Sequence, residues 1–405
     1  MTTETRDVVG CLVCGAGPVA ALPRYARFRR VTSDCRPWYK DGKIAICGAC
    51  GLVQAVIDRG FEDEARRIYD AYEVYHQSGG QEQRTFSSAD GISSPRSERL
   101  LRGVQQALGL PERGRLLDVG CGNGNLLRSF GRLHPGWTLA GFEYDQRHRA
   151  TIEGLPGVTR FHSGDLAAID GSFDLVTLLH ALEHFPDPVG QLRSIRSRLA
   201  PGGRILVQVP DHAHNPFDLV IADHCVHFSP ATLATVMGRA GVGVTFQSRD
   251  LIPREITLVG QVRPDGQEGT VAPPDGPAAG TVTAALDWLA EILGQARALA
   301  ARGPLGIFGT SIAGAWLGGE LEASVAFFVD EDPDRVGRRF LGREILAPAA
   351  IPADARVLVP FPGPTAGAIA ARHGALAPRL VLPPAWPPAA GHPHIPQEEP
   401  PPCER

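Results

Sequence analysis

Lysine is almost missing from this chain of 405 residues: Lys40 and Lys43 are the only two, and arginine carries the rest of the 40 basic side chains. Set beside the heavy use of alanine, glycine and proline, this reads as coding bias, and no function is read into it. Against 44 acidic residues the formal net charge is -4, and no long basic run occurs. The sequence therefore has no electrostatic footprint for nucleic acid or an anionic membrane surface, and a small-molecule substrate is the expected partner. Also missing is any apolar run near the roughly 20 residues that span a bilayer. The opening MTTETRDVVG lacks the charged-then-apolar pattern of a secretory leader. These absences predict a cytoplasmic protein with no membrane partner. No repeat of solenoid period is visible.

What is present divides unevenly. The length exceeds one ordinary core and predicts two or three domains. Residues 1–60 hold two close cysteine pairs, turn signals and little helical periodicity, as a small module held by an ion would. A polar helical lead-in opens the next unit, 61–262. From about 100 to 245 the strand-like segments RLLDVG, TLAGFE, FDLVTLL and GRILVQV alternate with helical patterns, which predicts an α/β fold with a doubly wound parallel sheet. The Gly/Pro-rich stretch 263–280 reads as a linker. A second α/β pattern over 281–381 follows, in PLGIFGTSIAGAWL, ASVAFFVDEDP and ARVLVPFP, and predicts a smaller Rossmann-like domain. The proline-dense tail 382–405 is expected to be disordered.

Cys11-Leu-Val-Cys14 and Cys47-Gly-Ala-Cys50 are two C-x-x-C knuckles joined by a loop of about 30 residues, a spacing that suits zinc. Four thiolates leave no open position for water, so the Zn2+ would be structural. A redox pair is the weaker alternative. A nucleic-acid-binding ribbon would need basic residues clustered around it. Cys35, inside the loop, reads as a buried apolar residue.

The strongest local pattern is Leu116-Leu117-Asp118-Val119-Gly120-Cys121-Gly122-Asn123-Gly124, a strand running into a glycine turn and then a helix. Glycines there let backbone amides approach a ligand closely. The spacing differs from the G-x-G-x-x-G of dinucleotide enzymes, and D-V-G-C-G-x-G resembles motif I of class I methyltransferases, where the turn holds the methionine part of S-adenosyl-L-methionine. A tight turn in any α/β protein is the plain alternative. Glu143 ends the next strand about 20 residues on, where a carboxylate can accept two hydrogen bonds from ribose hydroxyls. By the same resemblance, Asp165 and Leu166 in His162-Ser-Gly-Asp-Leu166 fall in the adenine-contacting segment. His180, opening His180-Ala-Leu-Glu183-His184, would line the cofactor pocket. Taken alone, Glu143 and Asp165 could equally be surface carboxylates, and His180 with His184 could be metal ligands on one helical face.

A third group is Ile221-Ala-Asp223-His224-Cys-Val-His227-Phe-Ser229. Methyl transfer to carbon needs a base for a C–H beside a carbonyl and a stabiliser for the enolate, and a histidine with a carboxylate neighbour fits that task. Ordinary polar loop residues ahead of a helix near Pro230 are the competing reading.

Taken together, the paired cysteines, the central glycine turn and the second Rossmann-like segment resemble the three-domain sugar C-methyltransferases of deoxysugar biosynthesis. Those enzymes methylate C-3 of a nucleotide-linked 4-keto sugar, and the resemblance runs to about residue 380. Their signature Tyr-His-Glu-His-Phe-Ser-Tyr-Phe-Ser corresponds to 221–229, where the central acid and histidine persist as Asp223 and His224 and both tyrosines are absent. The resemblance makes His224 the general base and places Tyr75, in Tyr69-Asp-Ala-Tyr72-Glu-Val-Tyr75, on the substrate side; three tyrosines at helical spacing also suit a packed stripe. Gly309-Thr-Ser-Ile-Ala-Gly314 and Phe328-Val-Asp330 resemble the third domain's glycine turn and acidic strand end. Two other readings stay open: an O- or N-methyltransferase acting on a sugar or secondary metabolite, and a non-catalytic zinc-containing scaffold.

Overall fold

The computed structural model describes residues 10–86, 93–263, 269 and 278–386. Its centre is a seven-stranded sheet. In chain order the strands are Gly114–Val119, Trp137–Glu143, Val158–Ser163, Phe173–Leu179, Leu199–Pro210, Val242–Ser248 and Glu255–Val262. Across the sheet they run third, second, first, fourth, fifth, seventh, sixth. The first five are parallel to one another, and the seventh pairs antiparallel with both the fifth and the sixth. Because order reverses between the first and fourth strands, a crevice opens at their C-terminal ends, the place where doubly wound sheets take ligands. The first strand shows why the sequence folds this way. Leu116, Leu117 and Val119 are buried on both faces of the sheet, and Gly124 in the left-handed region then starts the helix Asn125–Leu133.

The N-terminal segment forms a small antiparallel sheet from Ala20–Ala21, Ile44–Ile46 and Val53–Ala55. Its fourth strand comes from far along the chain: Val226 pairs with Gln54 and His227 with Val53. The loop carrying His224 is thus anchored in the N-terminal sheet. The next helix is closed by a capping box between Ser229 and Thr232, with Pro230 at its first turn.

A third sheet, with order 339–340, 343–346, 325–329, 305–308, 356–358, 380–381, is parallel except at its first pair. The expected linker 263–280 falls mostly outside the described residues, and the helix after it begins already at Ala278. Of the expected disordered tail, 387–405 lies outside the described residues. Residues 382–386 dock on that helix: the Pro384 carbonyl accepts a hydrogen bond from Trp288 Nε1 at 2.9 Å, and the Trp386 ring meets Trp288 edge-on with centroids 5.4 Å apart.

One apolar core joins Cys11, Cys50 and Leu52 to Val119, Val176, Val207, Val226 and Phe228. A second gathers Tyr25 and Val31, Phe217 and Leu219, and Trp288 and Trp316. Burying a large apolar side chain contributes about 1.5–3 kcal/mol, so Phe217, seated against both tryptophans, pins the short 3-10 turn Pro216–Val220 between the N-terminal and C-terminal sheets. Among the described residues, no helix is long and apolar enough to cross a membrane.

Candidate active site

The glycine turn lies at the C-terminal end of the first strand. Gly120, Gly122 and Gly124 all have positive φ, and the Gly120 and Cys121 amides donate to the Phe142 carbonyl at 2.9 and 3.0 Å. A Cβ on Gly122 would meet nothing within 4 Å, so its face of the turn is open, whereas one on Gly120 would press against Ala181 Cβ at 2.7 Å. Beneath the turn Asp118 is buried and accepts from Thr177 Oγ1 at 2.7 Å; burial pushes its carboxyl up to about 7.

Glu143 reaches back to the turn. Its Oε2 accepts from the Gly122 amide at 2.8 Å and its Oε1 from the Tyr144 amide at 2.9 Å, and burial raises its pKa despite both bonds. Asp165 is exposed and caps the turn Leu166–Ala168 through the Ala167 amide at 2.9 Å, while Leu166 is buried. From the other side Asn123 Nδ2 donates to the Gly80 carbonyl at 2.7 Å, which lays the segment 71–82 against the turn.

His180 follows the fourth strand with φ of 52°, a left-handed backbone that a non-glycine residue adopts at a cost on the order of 1 kcal/mol. Its Nδ1 is 3.3 Å from Glu183 Oε1 and its Nε2 is 2.7 Å from Glu255 Oε2, a carboxylate that also takes Arg96 at 2.6 Å. Burial and Arg96 work against protonation, but Glu255 and Glu183 prevail and raise the His180 pKa. Tyr75, also in the left-handed region at φ 56°, is half-buried near Arg96 and Glu255. Burial and then Glu82 push its phenol up.

From Glu183 the site continues to the loop after the fifth strand. Ligand-capable atoms of Glu183, His184 and His224 lie within 4.8 Å of one another, and the His184 and His224 rings meet edge-on with centroids 4.7 Å apart. His184 Nδ1 is 3.0 Å from the Tyr69 hydroxyl and 3.1 Å from the Asp223 carbonyl. The carboxylate that holds His224 is Asp218: its Oδ1 is 2.9 Å from His224 Nδ1 and its Oδ2 is 2.9 Å from His227 Nδ1. Burial alone would raise Asp218, but His227 and His224 hold its carboxyl far below the usual range. Burial alone would lower His224, but the Asp218 hydrogen bond leaves it raised. The Asp223 carboxylate instead takes the amide and hydroxyl of Ser33 at 2.9 and 2.5 Å. His224 and His227 are both in the wall of a cavity of about 340 Å³ beneath the N-terminal segment, which the chain's two lysines also line.

The structure thus brings Tyr75 and His180 to the Arg96–Glu255 pair and connects His180 through Glu183 to His184 and His224. Asp118, Gly120, Gly122, Gly124 and Glu143 form the neighbouring turn, and Asp165 and Leu166 the end of the third strand. Sequence reasoning missed Asp218, Glu255, Arg96 and Ser33. Only Asp218 lies near a recognised group, six positions before His224, a separation with no helical or strand periodicity to flag it.

The four paired cysteines are together, with Cys11 Sγ to Cys50 Sγ at 3.6 Å and Cys14 Sγ to Cys47 Sγ at 3.5 Å. Around a tetrahedral ion with bonds of about 2.3 Å, sulfurs stand about 3.8 Å apart, so the cluster has the dimensions of a thiolate metal cage. The amides of Val13 and Cys14 point at Cys11 Sγ at 3.5 and 3.4 Å, and a hydrogen bond from Cys50, against the pull of burial, brings the Cys11 thiol down to about 5.

A methyltransferase-domain family model matches residues 93–245. The trans-aconitate 2-methyltransferase of Deinococcus radiodurans is 35% identical over 122 residues, which are 29% of this chain and 46% of that protein. A ubiquinone biosynthesis O-methyltransferase of Xanthomonas axonopodis pv. citri is 38% identical over 117 residues, 27% of this chain and 49% of that protein. The chain therefore spans about half the length of the curated relatives it matches. Among solved structures, CalO1, a methyltransferase in calicheamicin biosynthesis with SAH bound, shares 21% identity over 42% of this chain and 54% of its own, with a TM-score of 0.34. The middle of the chain is a class I S-adenosylmethionine-dependent methyltransferase domain, on the family match and on the strand order with its antiparallel seventh strand.

Proposed function

We propose that this chain methylates a carbon atom of a keto sugar carried on a nucleotide, in deoxysugar or natural-product biosynthesis, with His224 as general base. The observation that carries the reading is the Asp218–His224 contact: a buried carboxylate 2.9 Å from Nδ1 leaves Nε2 with the lone pair. Only transfer to carbon needs a base strong enough to take a C–H proton, and a carboxylate-backed imidazole with a raised pKa is suited to that step.

S-adenosylmethionine supplies a sulfonium methyl that is already electrophilic, so the protein's work is positioning and water exclusion. The open face of Gly122 and the Glu143 carboxylate beside it fit the nucleoside and its amino-acid end. Asp165, Leu166 and His180 would complete that pocket, with Asp118 supporting the turn from below. Tyr75 would face the acceptor near Arg96. Cys11, Cys14, Cys47 and Cys50 would hold a structural Zn2+, which stiffens the sheet into which His227 is paired.

Incubation with a 4-keto sugar nucleotide in D2O tests the reading. Deuterium should enter the carbon beside the carbonyl before methylation, and His224→Ala should abolish it; an undeuterated substrate with intact protein would remove carbon as the target. A second reading, O-methylation, is favoured by the names of the Xanthomonas relatives. NMR of the product separates the two, since methyls on carbon and on oxygen resonate far apart.

A further inference from the structure

Asp218 is buried, and each of its oxygens faces the Nδ1 of a different imidazole at 2.9 Å. Both rings are thereby held with Nδ1–H toward the carboxylate and their lone pairs at Nε2. Their centroids are 5.8 Å apart with the planes tilted by 42°, and both rings line the same cavity. One carboxylate can balance one imidazolium, on either ring, without moving.

We propose that Asp218, His224 and His227 act as one proton-handling unit, in which His227 takes from His224 the proton removed from the acceptor and releases it into the cavity beneath the N-terminal segment. The inference rests on the reading of His224 as the base and adds a positioning residue and a second proton carrier to it. In the first step the acceptor C–H proton goes to His224 Nε2, while the C–H electron pair stays on the carbon that attacks the methyl. The imidazolium then passes that proton through cavity water to His227 Nε2, which leaves His224 neutral and ready again. His227 finally gives it to bulk water. On either ring the imidazolium faces Asp218, so both protonated states of the unit are paired in the buried site.

The groups facing the unit suit this route. Glu183 and His184 flank His224 from the loop after the fourth strand, and His212 approaches from the loop after the fifth. Asp223 is tied to Ser33. From the N-terminal segment Tyr25 gives its hydroxyl to the Leu219 carbonyl at 2.7 Å, and Arg30 is paired bidentately with Glu64 at 2.8 and 2.7 Å. The cavity is further lined by Lys40, Asp41, Lys43, Asp58 and Arg67, polar groups that keep it wet.

His227→Gln is the informative variant, because its amide can still donate to Asp218 yet cannot carry a proton. Methyl transfer by the full-length protein should fall about tenfold or more in kcat, with the KM for S-adenosylmethionine unchanged. In His227→Ala, added imidazole should restore the rate. Wild-type turnover by His227→Gln across the pH range overturns the proposal. Independently of any acceptor, spectra of the 15N-histidine-labelled protein should show His224 and His227 both as Nδ1–H tautomers, and Asp218→Asn should change both. Two rings that keep their tautomers in Asp218→Asn would also overturn it. If the wild-type protein transfers no methyl to the keto sugar while the spectra behave as expected, the acceptor assignment fails and the unit stands.

Discussion

Ser33 and Asp223 are 190 positions apart in the chain, yet the serine gives both its amide and its hydroxyl to the two oxygens of the aspartate, at 2.9 and 2.5 Å. A carboxylate so occupied ties the loop 221–227 to the N-terminal segment, while the neighbouring Asp218 serves His224. Asp223→Ala should lower the unfolding free energy by about 1.5–3 kcal/mol, the worth of hydrogen bonds to a buried charge, with the affinity for S-adenosylmethionine unchanged. Urea unfolding and calorimetry read the two quantities separately. A variant as stable as the wild type would show that the tie contributes nothing.

Asp118 makes stability depend on pH. Its folded pKa of about 7 lies above the ordinary carboxyl value, so the native state favours the protonated form. The contribution of this group to stability is then fully present below about pH 4 and is lost as pH rises from about 4 to 7, because ionisation is easier in the unfolded chain. Asp118→Asn removes the ionisation and should stabilise the protein on the order of a few kcal/mol at pH 8, with the gain fading toward pH 4. Urea midpoints of both proteins across that range test it. A constant difference would mean that Asp118 is not the titrating group.

The cysteine cage predicts about one zinc per chain by elemental analysis. Cys47→Ser should abolish that stoichiometry and lower the melting temperature. It should also reduce methyl transfer more than cofactor binding, since Val226 and His227 are paired with the sheet strand that follows Cys50. A metal-free wild-type protein with the same melting temperature after chelation would contradict the structural role.

The alternation of buried strands and helices made the central α/β sheet legible in the sequence, because its central strands Gly114–Val119 and Phe173–Leu179 are hydrophobic on both faces and end in glycine or a polar turn. The glycine turn and the carboxylate at 143 stood out for the same reason: both are local, at strand ends and in a fixed chain order. What could not be read was built from long-range pairings. Val226–His227 completes a sheet whose other strands end by Ala55, and Asp218 lies in a 3-10 turn with no periodic signature. At the start of the proline-dense tail, residues 382–386 pack on the helix Ala278–Ala300, where the Trp386 ring meets the edge of Trp288, a long-range contact that composition alone does not signal.

Gly122 offers a test of the open face of the turn. With φ of 52° and no atom within 4 Å of a Cβ built there, Gly122→Val would place its side chain where the ligand is expected. The backbone penalty should be about 1–2 kcal/mol, small enough for a folded protein, while cofactor affinity falls well over tenfold. A variant that binds as tightly as the wild type would place the ligand elsewhere.

The most direct measurement is calorimetric titration of S-adenosylmethionine into the full-length protein and into Glu143→Ala. One site per chain is predicted for the wild type, with binding at least about tenfold weaker in the variant, the loss expected for about 1.4 kcal/mol of hydrogen bonding to a charged group. A folded wild-type protein that gives no heat, or a variant that binds equally well, would contradict the account.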